Sequence, residues 1–139
     1  MKYDLDIVTL VSHIDELSTL HNAITAAGLA DTLKGADVVT LFAPDDEAFA
    51  KLQGGTILSG LEDLDKMKTV LTYHVVPHKL MASDLRKQKS VTTLQGATLT
   101  IEEHRWLRHG MKVNGAVVKE TDIEGTNGVI HIIDAVLMP

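Results

Sequence analysis

Cysteine is absent from this 139-residue chain. Its absence excludes disulfides, thiolate nucleophiles, zinc–cysteine sites and iron–sulfur clusters together. Reducing and oxidising compartments both remain compatible, because a chain of this length buries about two-thirds of its unfolded surface without covalent staples. No apolar run approaches the roughly 18 residues needed to span a bilayer, so the chain reads as not transmembrane. The opening Met1-Lys2-Tyr3-Asp4-Leu5-Asp6 lacks the apolar stretch of a secretory signal, so no signal peptide is visible. Positive charge is scarce: 13 Lys and Arg face 19 Asp and Glu, a net charge of −6 that repels phosphate backbones. Aromatics are few as well, two Tyr, two Phe and one Trp, which leaves a base-stacking platform poorly supplied. Nucleic acid is therefore not an expected partner.

Catalytic signatures are missing in the same way. Gly54-Gly55 lacks the Gly-Lys-Ser/Thr ending of a phosphate loop. Ser59 precedes Gly60 but has no upstream glycine at the spacing of a nucleophile elbow. His131 and Asp134 fall on opposite faces of a regularly alternating strand and make no obvious dyad. A hydrolase with a histidine–carboxylate site is the weakest of the functional readings, and no cofactor is implied.

Hydrophobic residues make up 45% of the chain and charged ones 23%, the balance of a globular domain. Neither a Pro-, Ser- or Gly-rich linker nor an internal repeat divides it, so residues 1–139 read as one domain. The first third is helical in pattern. Ser18 is placed to cap a segment whose Leu20, Ala23, Ile24 and Ala27 share one face, with Gly28 at its stop. A short helix follows from Leu29 to Leu33, ended by Gly35. Val38 to Ala43 is a β-branched apolar run that predicts a buried strand, stopped by Pro44. Asp45 or Asp46 then caps a helix through Ala48, Phe49 and Leu52, ended by Gly54-Gly55. Leu64, Met67, Val70 and Leu71 restore the helical period before Tyr73-His74-Val75-Val76, and Ser83 is placed to cap Asp84–Lys87. Beyond Val91 the pattern is β, with a turn at Gln95-Gly96, a hairpin signal at Asn114-Gly115 and a final apolar strand from Gly128 to Leu137. Helices first and strands last predict α+β.

Seven histidines, at positions 13, 21, 74, 78, 104, 109 and 131, raise a metal site. Pro77 interrupts the four-residue spacing of His74 and His78, and the five-residue spacing of His104 and His109 matches no ligand motif. An extracellular small-ligand or metal-binding protein using these histidines stays open as an alternative. Asp45-Asp46-Glu47 is explained by the exposed amides and positive dipole end of a helix start, each acid contributing about 0.3–1 kcal/mol. Arg86, Lys87 and Lys89 read as a solvated basic face. Trp106, between Arg105 and Arg108, suits either an exposed contact or the cover of a sheet end.

Three segments together resemble the fasciclin domain family. They are Thr40-Leu41-Phe42-Ala43-Pro44-Asp45-Asp46-Glu47-Ala48-Phe49, then Leu71-Thr72-Tyr73-His74-Val75-Val76-Pro77, and finally Thr126 through Pro139 with Asn127-Gly128-Val129-Ile130-His131-Ile132-Ile133-Asp134 at its centre. Asp6-Ile7-Val8 and Ala26 to Leu33 extend the likeness over nearly the whole chain. Asp45 departs from the Thr or Asn usual after the proline, and all three can cap a helix. The resemblance implies an α+β fold in which two β-sheets form a wedge with helices packed around it. It is similar to single-copy, microbial-type members, and implies cell adhesion or protein binding without catalysis. The partner implied is a surface or matrix protein, with an integrin-type receptor as the model. The location implied is extracellular, at the cell surface or periplasmic. Two partner-binding elements carry over by position: Tyr73-His74, which matches the family's tyrosine–histidine motif, and Asp122-Ile123. Asp122 lies in the polar stretch Glu120–Gly125, read as a turn where a carboxylate can complete the coordination of a partner's metal ion. Tyr73-His74 leaves an amphipathic helix and enters an apolar strand, a pattern that favours burial of both rings.

Overall fold

The structure, a computed structural model, describes residues 3–35, 38–50, 64–103 and 110–137. The expected helix end at Gly54-Gly55, Ser59-Gly60, and the 104–109 stretch with His104, Arg105, Trp106, Arg108 and His109 lie outside them.

The chain enters through α1 (Ile7–His13), a helix not foreseen as a separate element. Asp6 caps it, accepting from the Thr9 amide at 3.0 Å and from the Thr9 hydroxyl at 2.8 Å. Ile7, Val8, Leu10 and Val11 are its buried face. A short 3-10 turn (Asp15–Leu17) runs straight into α2 (Ser18–Ala26). Ser18 is therefore the first residue of the helix rather than its cap. The exposed amide of Thr19 is satisfied by Asp46 Oδ1 at 2.8 Å, and the Ser18 hydroxyl donates to Asp46 Oδ2 at 2.8 Å. A carboxylate 27 residues away in sequence does what the local serine was expected to do. α3 (Ala30–Lys34) ends at Gly35 as expected.

β1 (Val39–Pro44) is buried along its whole length and includes Pro44. Asp45 then caps α4 (Asp46–Ala50), its Oδ1 accepting from the Ala48 amide at 2.8 Å. α5 (Leu64–Thr72) leads into β2 (Val75–Val76). α6 occupies Ala82–Arg86, not Asp84–Lys87. Ser83 is exposed, and the amides at this helix start go instead to carboxylates: Met81 N–H to Asp84 Oδ2 at 3.0 Å and Ala82 N–H to Asp122 Oδ1 at 2.8 Å.

The remaining strands are β3 (Ser90–Thr92), β4 (Thr98–Glu103), β5 (Met111–Val113), β6 (Ala116–Gly125) and β7 (Gly128–Ile133). Asn114 and Gly115, at φ of 48° and 85°, form the left-handed pair that a two-residue β5–β6 hairpin requires. Glu120–Gly125, expected as a turn, is the second half of β6. It pairs with β7 through Ile123 opposite Ile130, with register shifts between Val118 and Glu120 and between Glu120 and Ile123. β7 stops at Ile133, four residues short of the expected end, and the Asp134 carboxylate accepts from the Val117 amide at 2.8 Å.

The strands are ordered β2-β1-β7-β6-β5-β4-β3, all antiparallel except the neighbouring β1 and β7. The bulges in β6 bend this ribbon, as irregular registers do. Leu94, beyond β3, returns to donate to the Val75 carbonyl of β2 at 2.7 Å, so the two ends nearly meet in a wedge. Alternation along β1 and β7 divides the core in two. Leu41, Ala43, Ile130 and Ile132 face α1, α2, α3 and α5, while Phe42 and Ile133 face the interior of the wedge with Leu85, Leu99, Met111 and Val113. Gly128 permits the parallel β1–β7 pairing: a Cβ there would lie 2.1 Å from the Val39 carbonyl oxygen. Beside it, the buried Asn127 side chain accepts from the Ile7 amide at 2.9 Å and donates to the Leu33 carbonyl at 2.7 Å, tying α1 and α3 to the end of the sheet.

Candidate functional site

Tyr73 and His74 sit where α5 passes into β2, and both are buried, at 5% and 0% exposure. The Tyr73 hydroxyl accepts from Asn114 Nδ2 at 2.7 Å and lies 3.2 Å from the Thr98 carbonyl, to which it donates. It thereby links α5 to β4 and to the hairpin at Asn114. The His74 ring stands edge-on to Tyr73, with centroids 6.5 Å apart and planes at 84°. Its Nε2 accepts from the Leu137 amide at 2.9 Å, which leaves Nδ1–H to donate to the Val70 carbonyl at 2.8 Å. The imidazole is thus neutral with both nitrogens used. Burial lowers its pKa to about 4, against the Val70 hydrogen bond, which raises it.

Asp122 and Ile123 lie elsewhere, on the irregular half of β6. Ile123 is half-buried and packs against the helical core. Asp122 is also half-buried and has φ of 60°, a left-handed conformation uncommon outside glycine and better tolerated by Asp and Asn than by most residues. Two contacts hold it there. Its Oδ1 accepts from Ala82 N–H at the start of α6, and its own N–H donates to His131 Nδ1 at 3.2 Å. His131 is 0% exposed on β7, and its Nε2–H donates to the Leu80 carbonyl at 2.7 Å. Burial lowers the His131 pKa, with the Leu80 bond and the Asp122 charge pulling the other way.

These contacts converge on residues 78–82, a strap that crosses from β2 to α6. Thr40 of β1 donates its hydroxyl to the His78 carbonyl at 2.6 Å and accepts from the Leu80 amide at 2.7 Å. Lys79 pairs with Glu124 of β6. The outer side of the strap is open to solvent at His78 and Lys79. Asp122 is therefore part of a polar seam between β6, β7 and the strap, whereas Tyr73 and His74 brace the inside of the wedge. The sequence-predicted residues form two structural groups, each with its own partners. Thr40 and Leu80 were not read from the sequence as site residues, and His131 was weighed there only as a metal ligand or as a dyad partner of Asp134; its place in an apolar strand was the available signal.

A second feature is an open cleft of about 640 Å³ between β6 and the start of α4. Its polar lining is Glu16, Asp45, Asp46, Glu47, Lys119 and Glu120. Asp45 is 2% exposed and its second oxygen is paired with Lys119. That hydrogen bond raises the lysine's pKa against the effect of burial, and the charges of Asp45, Glu47 and Glu16 add to it. For Asp46, burial acts upward but the hydrogen bonds from Thr19 and Ser18 prevail and hold its pKa below the usual carboxylate value. The acids of the Asp45-Asp46-Glu47 run thus cap two helices and anchor one lysine. Among the described residues no group of three or more His, Asp or Glu is placed to hold a metal ion. Nor is any described helix long and apolar enough to cross a membrane.

Residues 15–139 match the family described as the Fasciclin domain. An uncharacterized protein of Synechocystis is 38% identical over 133 residues, covering 96% of this chain and 97% of that protein. The cell surface glycolipoprotein MPB83 of Mycobacterium bovis is 36% identical over 138 residues, 96% of this chain and 60% of that protein. Among solved structures, a FAS1 domain pair from the insect cell adhesion molecule Fasciclin I superposes with a TM-score of 0.82 at 20% identity, covering 97% of this chain and 51% of that one.

Proposed function

Because the chain belongs to the fasciclin domain family, we propose that residues 1–139 act as a single, non-catalytic adhesion module that binds a surface or matrix protein outside the cytoplasm. The partner, by family resemblance, is of the integrin-receptor type. The cell-surface location named for the mycobacterial relative supports the placement.

The observation that carries the reading is the half-buried carboxylate of Asp122, with one oxygen given to Ala82 and no hydrogen-bond donor on the other among the described residues. Such an oxygen at the edge of an exposed strap suits the last coordination position of a metal ion brought by the partner. Ile123 and the strap residues His78 and Lys79 supply the neighbouring surface. In this reading Tyr73 and His74 serve the same surface indirectly, by holding α5, β2 and the β5–β6 hairpin in place.

Asp122→Asn separates charge from fold. The amide oxygen still accepts from Ala82 N–H, and Asn tolerates the left-handed backbone. Cells are allowed to attach to surfaces coated with either protein, after equal melting temperatures are verified. Attachment lost in the variant supports the proposal; equal attachment removes Asp122 from the contact surface.

A further inference from the structure

The strap is held by few contacts, and one of them is a histidine whose two nitrogens play opposite roles. An amide can only donate and a carbonyl can only accept, so the Asp122 N–H and the Leu80 carbonyl together force the His131 ring to be neutral, with its proton on Nε2. The ring is walled by the Phe42 side chain of β1 at a centroid distance of 5.8 Å, by the Leu80 carbonyl of the strap, and by β6. Asp122 of β6 is the charged group that acts on it among the described residues. A second proton on Nδ1 converts an acceptor into a donor and sets it against the Asp122 N–H. The amide then loses the bond that helps keep Asp122 at φ of 60°. The new imidazolium also attracts the nearest carboxylate, and that carboxylate is the one capping Ala82. Both effects remove Asp122 Oδ1 from the start of α6. The strap then stays tied to β1 by Thr40 and to β7 by the persisting His131 Nε2–H bond to Leu80, while the Lys79–Glu124 pair is its remaining tie to β6.

We propose that His131 is a proton-operated latch: its protonation turns Asp122 away from Ala82 and loosens residues 78–82 from β6. The inference rests on the Asp122 reading above for its consequence, since an uncapped carboxylate is freer to meet a partner's metal ion, but not for its mechanism. Burial sets the latch to work below the ordinary imidazole range, as in an acidified compartment or surface layer.

The test is residue-resolved amide exchange on the wild-type protein between about pH 7.5 and pH 4.5, alongside NMR titration of the His131 ring. The Ala82 and Asp122 amides are expected to lose about tenfold in protection, relative to intrinsic rates, with a midpoint that coincides with the His131 titration. Leu41 and Ile130, in the β1–β7 pair, report global unfolding and stay far better protected than Ala82 over that range. His131→Gln keeps a donor for the Leu80 carbonyl but takes no proton, so its Ala82 protection is expected to be flat with pH. If that variant does not fold, the coincidence of midpoints in the wild type decides alone. Unchanged Ala82 protection through the His131 titration overturns the latch, as does loss of protection only together with Leu41 and Ile130. Cell attachment measured over the same pH range separates the two readings. Strap opening without any effect of pH or Asp122→Asn on attachment upholds the latch and discards Asp122 as the contact.

Discussion

Acidification places a calculable load on His74. Its ring is fully buried, and its Nε2 is committed to accepting from Leu137 N–H, so the charged form has neither water nor a free acceptor. Its pKa in the fold is about 4 against an ordinary 6.5, with burial as the dominant cause. The unfolded chain therefore binds more protons than the native one between those values, and stability falls as the pH drops through that window. Above about pH 6.5 the contribution is complete. At roughly 1.4 kcal/mol per pH unit, His74 alone removes about 2 kcal/mol by pH 5 and about 3 kcal/mol by pH 4. That is a large share of the 5–15 kcal/mol typical of a folded domain. Urea unfolding at about pH 7.5, 6, 5 and 4.5 reads this as a falling midpoint at constant m-value. His131, buried and shifted in the same direction, contributes to the same slope. His74→Asn supplies the control: it costs about 1–3 kcal/mol at neutral pH through the Leu137 amide it leaves unsatisfied. Its pH dependence is then shallower, so the two stability curves converge toward pH 4.5. A wild-type midpoint that stays level from pH 7.5 to pH 5, or an equally steep decline in His74→Asn, refutes the reasoning.

Two further substitutions probe the frame around the proposed contact. Gly128→Ala forces β1 and β7 apart, because the added methyl meets the Val39 carbonyl oxygen at 2.1 Å, and is expected to cost about 3 kcal/mol. A urea midpoint close to that of the wild type would show that the β1–β7 pair is not packed as described. Tyr73→Phe leaves the Thr98 carbonyl and Asn114 amide without their shared partner, at a cost of about 1–2 kcal/mol and several degrees in melting temperature. Well below that temperature, cell attachment by the variant is expected to equal that of the wild type, and its loss with the fold intact would make Tyr73 a contact in its own right.

Much of the architecture was legible because it follows from local chemistry. The Asp45 cap, the helical period before Tyr73 and the Asn114-Gly115 hairpin appear where the residues placed them, and the strand expected over Val38–Ala43 appears one residue later, with Val38 exposed and Pro44 inside it. The errors fall where a local pattern competes with a distant partner. Ser18 and Ser83 look like caps, but Asp46 and Asp122 reach those helix starts from remote segments, and a carboxylate is the stronger acceptor for an exposed amide. Glu120–Gly125 looks like a turn because it is polar, yet β7 supplies the ladder that makes it a strand.

The sequence by itself determined the α+β class, the family and the positions at which short-range geometry is decisive, since periodicity, glycine and asparagine act within a few residues of themselves. Only the tertiary structure decided what Tyr73, His74, Asp122 and His131 do. A ring's protonation state and a carboxylate's availability depend on which amides and carbonyls surround it, and Leu137, Leu80 and Ala82 are brought there by the packing of separate strands and helices.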